Sequence, residues 1–257
     1  MRQNVYAATP KYPTKNAPTW SGAVAKQVKK APAFTGASYI FDEPSFDGVC
    51  NTASSYNLWS GLGGTKDGRL MQNGVDNIGG KGPNDDYAWW EVLSKDRKNY
   101  LPEMKVKNFS VRAGDRVFVG TSYYAPKKQV SFSFYNYRTR KAVTLGPWGV
   151  INTPQGSFLA SVFYDGSTAE QIVERSQTLK DGPLMLRKPH AGYSHTYEAG
   201  FSNGKQDGED FAFKNIYRYV MQDIKINISE PVKFISKVKH EGSYLAQWNN
   251  KWDRCYA

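Results

Sequence analysis

Gln129-Val-Ser-Phe-Ser-Phe-Tyr-Asn-Tyr137 alternates without a break. Val130, Phe132 and Phe134 fall on one side of an extended chain, and Ser131, Ser133 and Tyr135 fall on the other. That period of two belongs to a half-buried strand, whose successive side chains point to opposite faces. On its N-terminal side, Val117-Phe118-Val119 follows the turn signal Ala113-Gly114-Asp115. Towards the C-terminus, Lys225-Ile226-Asn227-Ile228 and Val232-Lys233-Phe234 alternate too. Turn residues recur at roughly 8–12-residue intervals, which predicts an all-β chain folded as an antiparallel sandwich or barrel. Helical periodicity is scarce. Ala169–Leu179 fits a short helix, but its Ile172-Val173 pair fits a strand as well. No alternation of strands with helices supports a doubly wound nucleotide fold.

The 257 residues suit one large β domain or two small ones. We expect an extended leader over residues 1–18, opened by Thr9-Pro10-Lys11-Tyr12-Pro13. A single domain then runs over 19–257, with a terminal strand and tail from about residue 240. A hydrophobic fraction of 40% with 22% charged residues is not that of a disordered chain or a coiled coil. No apolar run approaches the ~18 residues of a bilayer span, which argues against a membrane protein. Three His and two Cys are too few to build a Cys/His zinc site, and no cofactor is expected. The net charge of +11 favours acidic partners. Its densest clusters (Lys26, Lys29 and Lys30; Lys127 and Lys128; Arg138, Arg140 and Lys141) read more simply as solvated loops, and no nucleic-acid-binding motif accompanies them. Cys50 and Cys255 are either a disulfide that pins the C-terminus in an oxidising compartment or two unpaired thiols. Met1–Asn16 holds no apolar signal core, so either a signal was removed ahead of this numbering or the chain is not exported. Asn108-Phe-Ser and Asn227-Ile-Ser match the glycosylation sequon, a tripeptide common by chance.

Nucleophile elbows, zinc-protease helices, phosphate-binding loops and the Asp-Thr-Gly of aspartic proteases are all missing. Gly61-Leu-Gly-Gly reads as a turn because no helix follows it. Four segments carry the chemistry: Trp59-Ser-Gly-Leu-Gly-Gly, Leu70-Met-Gln-Asn-Gly-Val-Asp76, Tyr87-Ala-Trp-Trp-Glu91 and Ala169-Glu-Gln-Ile-Val-Glu174. As strands they put Leu70, Gln72, Gly74 and Asp76 on one face, then Tyr87, Trp89 and Glu91, then Glu170, Ile172 and Glu174. Such faces are poor core and poor generic surface, but they suit the floor of a groove. Gly74 would let a ligand backbone come close.

In order and rough spacing these segments resemble the eqolisins, the glutamic peptidases, whose motifs read W-x-G-x-x-G, L-x-Q-x-G-[VF]-D, Y-x-x-W-Y-E and A-E-x-[IV]-[IV]-E. Trp20-Ser-Gly-Ala-Val and Val111-Arg-Ala-Gly-Asp115 extend the resemblance, which runs from about Trp20 to about Phe213. It implies a sandwich of two antiparallel sheets, of concanavalin A-like or jelly-roll type, one bent into a groove. It also implies a catalytic pair, Gln72 and Glu174, with Trp59, Trp89 and Glu91 at groove positions and Asp76 beside them as support. A carboxylate can take a proton from water, and an amide can hold that water and then donate to the oxyanion. A carboxyl neighbour or burial would raise the Glu174 pKa and favour acidic conditions. The expected protein is a secreted, monomeric, metal-independent endopeptidase acting on polypeptides. Departures from the pattern are Gly63 in place of an Asp, Tyr87 in place of an Asp, Glu170-Gln171-Ile172 for Glu-Trp-Ile, and the basic charge, which grows at low pH. The competing reading is a non-catalytic extracellular module that stacks sugars on Trp59, Trp89 and Trp90. Nucleic-acid binding through general charge ranks third.

Overall fold

The structure, a computed structural model, describes residues 13–17, 19–27, 31–45, 54–78 and 86–174, and beyond them the strands named here. In chain order the strands are β1 (Thr14–Ala17), β2 (Trp20–Lys26), β3 (Gly36–Asp42), β4 (Ser54–Gly63), β5 (Leu70–Ile78), β6 (Asp86–Leu93) and β7 (Tyr100–Ser110). Then come β8 (Arg116–Tyr124), β9 (Gln129–Asn136), β10 (Lys141–Trp148), β11 (Val150–Thr153), β12 (Gly156–Leu159) and β13 (Thr168–Glu174). The last are β14 (Gln177–Thr178), β15 (Gly182–Pro183), β16 (Met185–Leu186), β17 (Tyr193–Ser202), β18 (Ile216–Asp223), β19 (Lys233–Phe234), β20 (Ser236–Glu241) and β21 (Tyr244–Asn249). Among the described residues the only helical pieces are single 3-10 turns, and no helix is long and apolar enough to cross a membrane.

Two large sheets face each other. The first, of ten strands, runs β1-β18-β2-β13-β4-β5-β6-β7, with β16 added beside β4 and β19 beside β18, and the second, of seven, runs β10-β9-β8-β3-β17-β21-β20. Neighbours are antiparallel except for β1 with β18 and β16 with β4. This is the antiparallel β-sandwich that the alternation predicts. The inward residues of β9, Val130, Phe132 and Phe134, are buried with Tyr39 and Phe41 of β3 and with Leu58, Leu62, Met71, Val75 and Val92 of the first sheet. Trp90 stacks on Phe132 at 5.2 Å across the interface. The core also holds a polar tie. The Asn73 side-chain carbonyl accepts from Thr121 at 2.9 Å, while its amide donates to the Ser133 carbonyl at 3.1 Å. A buried amide satisfied from the opposite sheet fixes how the two sheets sit.

Several expectations change. Gly61–Gly63 is not a turn but the end of β4, and the turn starts at Gly64. Of Ala169–Leu179, the stretch to Glu174 is strand and not helix: Thr168–Glu174 lies between β2 and β4 and pairs with both. Lys225–Ile228, Asn227, Cys50 and Cys255 lie outside the described residues, and of Val232–Phe234 only Lys233–Phe234 is described as a strand. Within the expected leader, Thr14–Ala17 is a strand laid parallel to β18. Tyr244–Asn249, in the expected terminal strand and tail, pairs with both β20 and β17.

Candidate active site

The register of the first sheet lines up three rows on the face turned away from the second sheet. Glu174 sits between Trp20 and Asn57, and Asn57 is followed by Asp76 and Tyr87. One step along, Ile172 sits between Gly22 and Trp59, followed by Gly74 and Trp89. A further step gives Val24, Glu170, Gly61, Gln72 and Glu91. Val24, Trp59, Leu70, Trp89 and Ile172 pack as an apolar cluster separate from the main core, with Trp20 and Tyr87 against it. The polar side chains of the rows are therefore set around an apolar floor.

Trp59 is the centre of that floor. It has 0% exposure, and the edge of Trp20 meets its ring at 5.1 Å. Glycine makes the room. A Cβ at Gly74 would stand 2.7 Å from the Trp59 Cβ and 2.4 Å from the Leu58 carbonyl, and one at Gly61 would stand 3.1 Å from the Trp59 ring. Gly74 thus accommodates the backbone of β4 and the Trp59 Cβ rather than a ligand, which corrects the sequence reading. The Trp59 Nε1 donates to Glu174 Oε2 at 2.7 Å, and the Trp89 Nε1 donates to Asn57 Oδ1 at 3.0 Å. Neither indole has surface to offer a substrate, so their expected role as groove contacts is corrected to support from beneath. Trp90, the third candidate sugar platform, lies on the core side of the sheet and is buried there.

Above this floor Gln72 bonds Glu91, and Glu174 feels the charge of Glu91. The Gln72 Nε2 donates to Glu91 Oε2 at 2.5 Å, and its Oε1, buried, has no partner. Burial pushes the half-buried Glu174 carboxyl up to about 7, with the nearby Glu91 charge adding to the rise. The Trp20 and Trp59 N–H groups and the Arg97 charge pull it back. Glu91 is raised by burial and held down by Gln72 and Arg97.

Glu170 shares a row with Gln72, with only Gly61 between them. A Cβ on Gly61 would stand 3.1 Å from the Leu70 methyl and from the Trp59 ring. Glu170 has 0% exposure, and neither carboxylate oxygen has a hydrogen-bond partner of ordinary geometry. Burial raises its pKa well above the usual value. The Thr168 hydroxyl works against that rise and Asp165 adds to it.

Asp76 is also fully buried. It accepts from the Tyr87 hydroxyl at 3.2 Å through Oδ2, while Oδ1 has no partner. Its pKa is raised well above the usual value by burial first, and also by Glu103 and Glu174. It too supports the floor and offers no contact surface. Two residues were not singled out from the sequence. Glu103, half-buried on β7, has its carboxyl pushed up to about 7 by burial, and Tyr87 and Glu91 also act on it. The Lys105 Nζ stands 3.7 Å from the centre of the Tyr87 ring. A register shift between Trp90 and Val92 brings this part of β7 against Glu91. Tyr87, a departure from the family pattern, was the one available signal.

Gly63 explains the missing Asp. Its φ is +99°, and a Cβ there would lie 2.2 Å from the Arg69 carbonyl. No side chain fits.

The sequence profile of the Peptidase A4 family matches residues 18–186. No curated protein sequence matches the chain significantly. Among solved structures, the chain is similar to scytalido-glutamic peptidase bound to a transition state analog inhibitor, with a TM-score of 0.64 and 16% identity. It is also similar to SCP-B, a member of the eqolisin family of peptidases in complex with the tripeptide Ala-Ile-His, with a TM-score of 0.60 and 16% identity. Each likeness covers 91% of this chain and 98% of the other.

Proposed function

The chain belongs to the peptidase A4 family, the eqolisins, and we propose that it is a glutamic endopeptidase in which Glu174 activates water and Gln72 stabilises the oxyanion. One arrangement carries the reading: a half-buried carboxyl held by an indole N–H, with a Gln amide bonded to a second carboxyl beside it. Glu174 takes a proton from water, and the oxygen attacks the scissile carbonyl. As charge develops on that oxygen, the Gln72 amide donates to it. Glu174 then returns the proton to the leaving amine, which breaks the C–N bond. A group whose pKa lies near the working pH does both transfers well, and about 7 suits a mildly acidic range. Glu91 accepts one amide hydrogen and so orients the Gln72 head, leaving the second hydrogen and Oε1 for water and substrate. The pair needs no metal for these steps.

Hydrolysis of a denatured protein between about pH 3 and 7 tests the assignment. We expect Gln72→Ala to lower kcat by about 10²–10³, the effect of losing one oxyanion donor. Glu174→Gln should abolish turnover, while Glu170→Gln keeps most of it, because Glu170 has no exposed surface. Equal activity of wild type, Gln72→Ala and Glu174→Gln would overturn the reading. Loss confined to Glu170→Gln would move the base to the other glutamate.

A further inference from the structure

We infer that the rim made by Tyr87, Glu91 and Glu103 is a subsite for a cationic side chain of the substrate, a lysine or arginine next to the cleaved bond; this rests on the peptidase reading above. The charges facing the rim come from every neighbouring element. They are Asp76 on β5, Tyr87 and Glu91 on β6, Glu103 and Lys105 on β7, Glu174 on β13, and Arg97 in the 3-10 turn between β6 and β7. Four carboxyls and a phenol are set against two cations, in a chain whose overall charge is +11. Tyr87, Glu91 and Glu103 are half-buried, so a side chain lying in the cleft reaches them.

A buried acceptor points the same way. Gln72, 5% exposed, carries its head into this cluster through the bond to Glu91, and its Oε1 has no partner. An ammonium or guanidinium has only donors to give, so an acceptor of this kind suits it. The rim already holds one ammonium: the exposed Lys105 stands over the Tyr87 ring at 3.7 Å, the geometry of a cation–π contact. A substrate cation would share or take that position.

The test compares peptides that carry lysine, norleucine or glutamate at each position flanking the cleaved bond. Wild type, Glu103→Gln and Lys105→Met are assayed at about pH 7.5, where Glu103 is largely ionised. At one flanking position we expect lysine to exceed norleucine about tenfold in kcat/KM, the effect of one close charge pair. Glu103→Gln should bring that ratio towards one. Lys105→Met should raise it, because the competing cation is gone. In wild type the ratio should fall as the pH drops through about 7 and Glu103 takes its proton. Cleavage of all peptides without a lysine preference, or a preference unchanged in both variants, would overturn the subsite and leave the peptidase reading standing. No cleavage of any peptide would overturn both.

Discussion

The Trp59 indole nitrogen makes a single hydrogen bond, and it goes to the carboxyl assigned as the base. A donor to a carboxylate favours its charged form, so this bond holds the Glu174 pKa below where burial alone would put it. Trp59→Phe keeps most of the packing volume and removes the donor. The Glu174 pKa then rises, and the acid limb of the pH–rate profile moves to higher pH. A hydrogen bond to a charged group contributes about 1.5–3 kcal/mol, so kcat/KM at about pH 5 should fall tenfold or more. The measurement is a pH profile of both proteins. An unshifted acid limb would mean that the indole serves packing alone. Tyr87→Phe makes a useful contrast, because its hydroxyl bonds Asp76 rather than Glu174 and the Lys105 contact uses only its ring.

Strand pairing decides what each glycine is for, and that separates two outwardly similar substitutions. At Gly74 an added Cβ meets the backbone of β4 and the Trp59 side chain, which have no free direction in which to yield. Gly74→Ala should therefore cost about 2 kcal/mol or more by overpacking, and it should cut activity by displacing Trp59 from Glu174. At Gly114 nothing stands within 4 Å of an added Cβ, and only the φ of +83° resists it. Gly114→Ala should cost about 1 kcal/mol with activity unchanged. Urea unfolding of the two variants, with a peptidase assay, checks the contrast. Gly63→Asp, which would restore the residue common in the family, should destabilise as Gly74→Ala does, because a Cβ meets the Arg69 carbonyl.

The same pairing shows how far the sequence could be read. Alternation is local, so β9 and the shared face of Gln72, Gly74 and Asp76 were plain from the residues alone. Whether that face is open or covered depends on what packs over it. That is why Trp59, Trp89 and Asp76 read as groove residues and prove to be buried. Glu103 meets Glu91 only through a shifted register between β6 and β7, which no local pattern encodes.

Taken whole, the molecule carries two electrostatic loads of opposite sign with pH. Glu43, Asp76 and Glu170 are buried carboxyls, each with at least one unpartnered oxygen. All three have pKa values raised well above normal by burial, and Glu103 and Glu174 reach about 7. A raised carboxyl pKa means that the folded state holds protons the unfolded chain gives up. The stability linked to these groups is full below the unfolded value of about 4 and is lost as pH rises towards and through about 7. For each such group the loss is about 1.4 kcal/mol for every pH unit that separates its folded and unfolded pKa values. Against this, the +11 charge grows as surface carboxyls protonate, and Asp67 and Asp115, with lowered pKa values, lose their arginine partners in strong acid. Repulsion between exposed charges is screened by salt, whereas desolvation of buried carboxyls is not. The melting temperature should therefore peak in mild acid near about pH 4–5 and fall towards pH 8. Added salt should lift the acid side of that curve and leave the neutral side in place. Glu43→Gln, which removes one of the buried titrating groups, should flatten the neutral side. A melting temperature that climbs steadily to pH 8 would show that the buried carboxyls are solvated or paired in solution, and it would remove the physical basis for a stability maximum in mild acid.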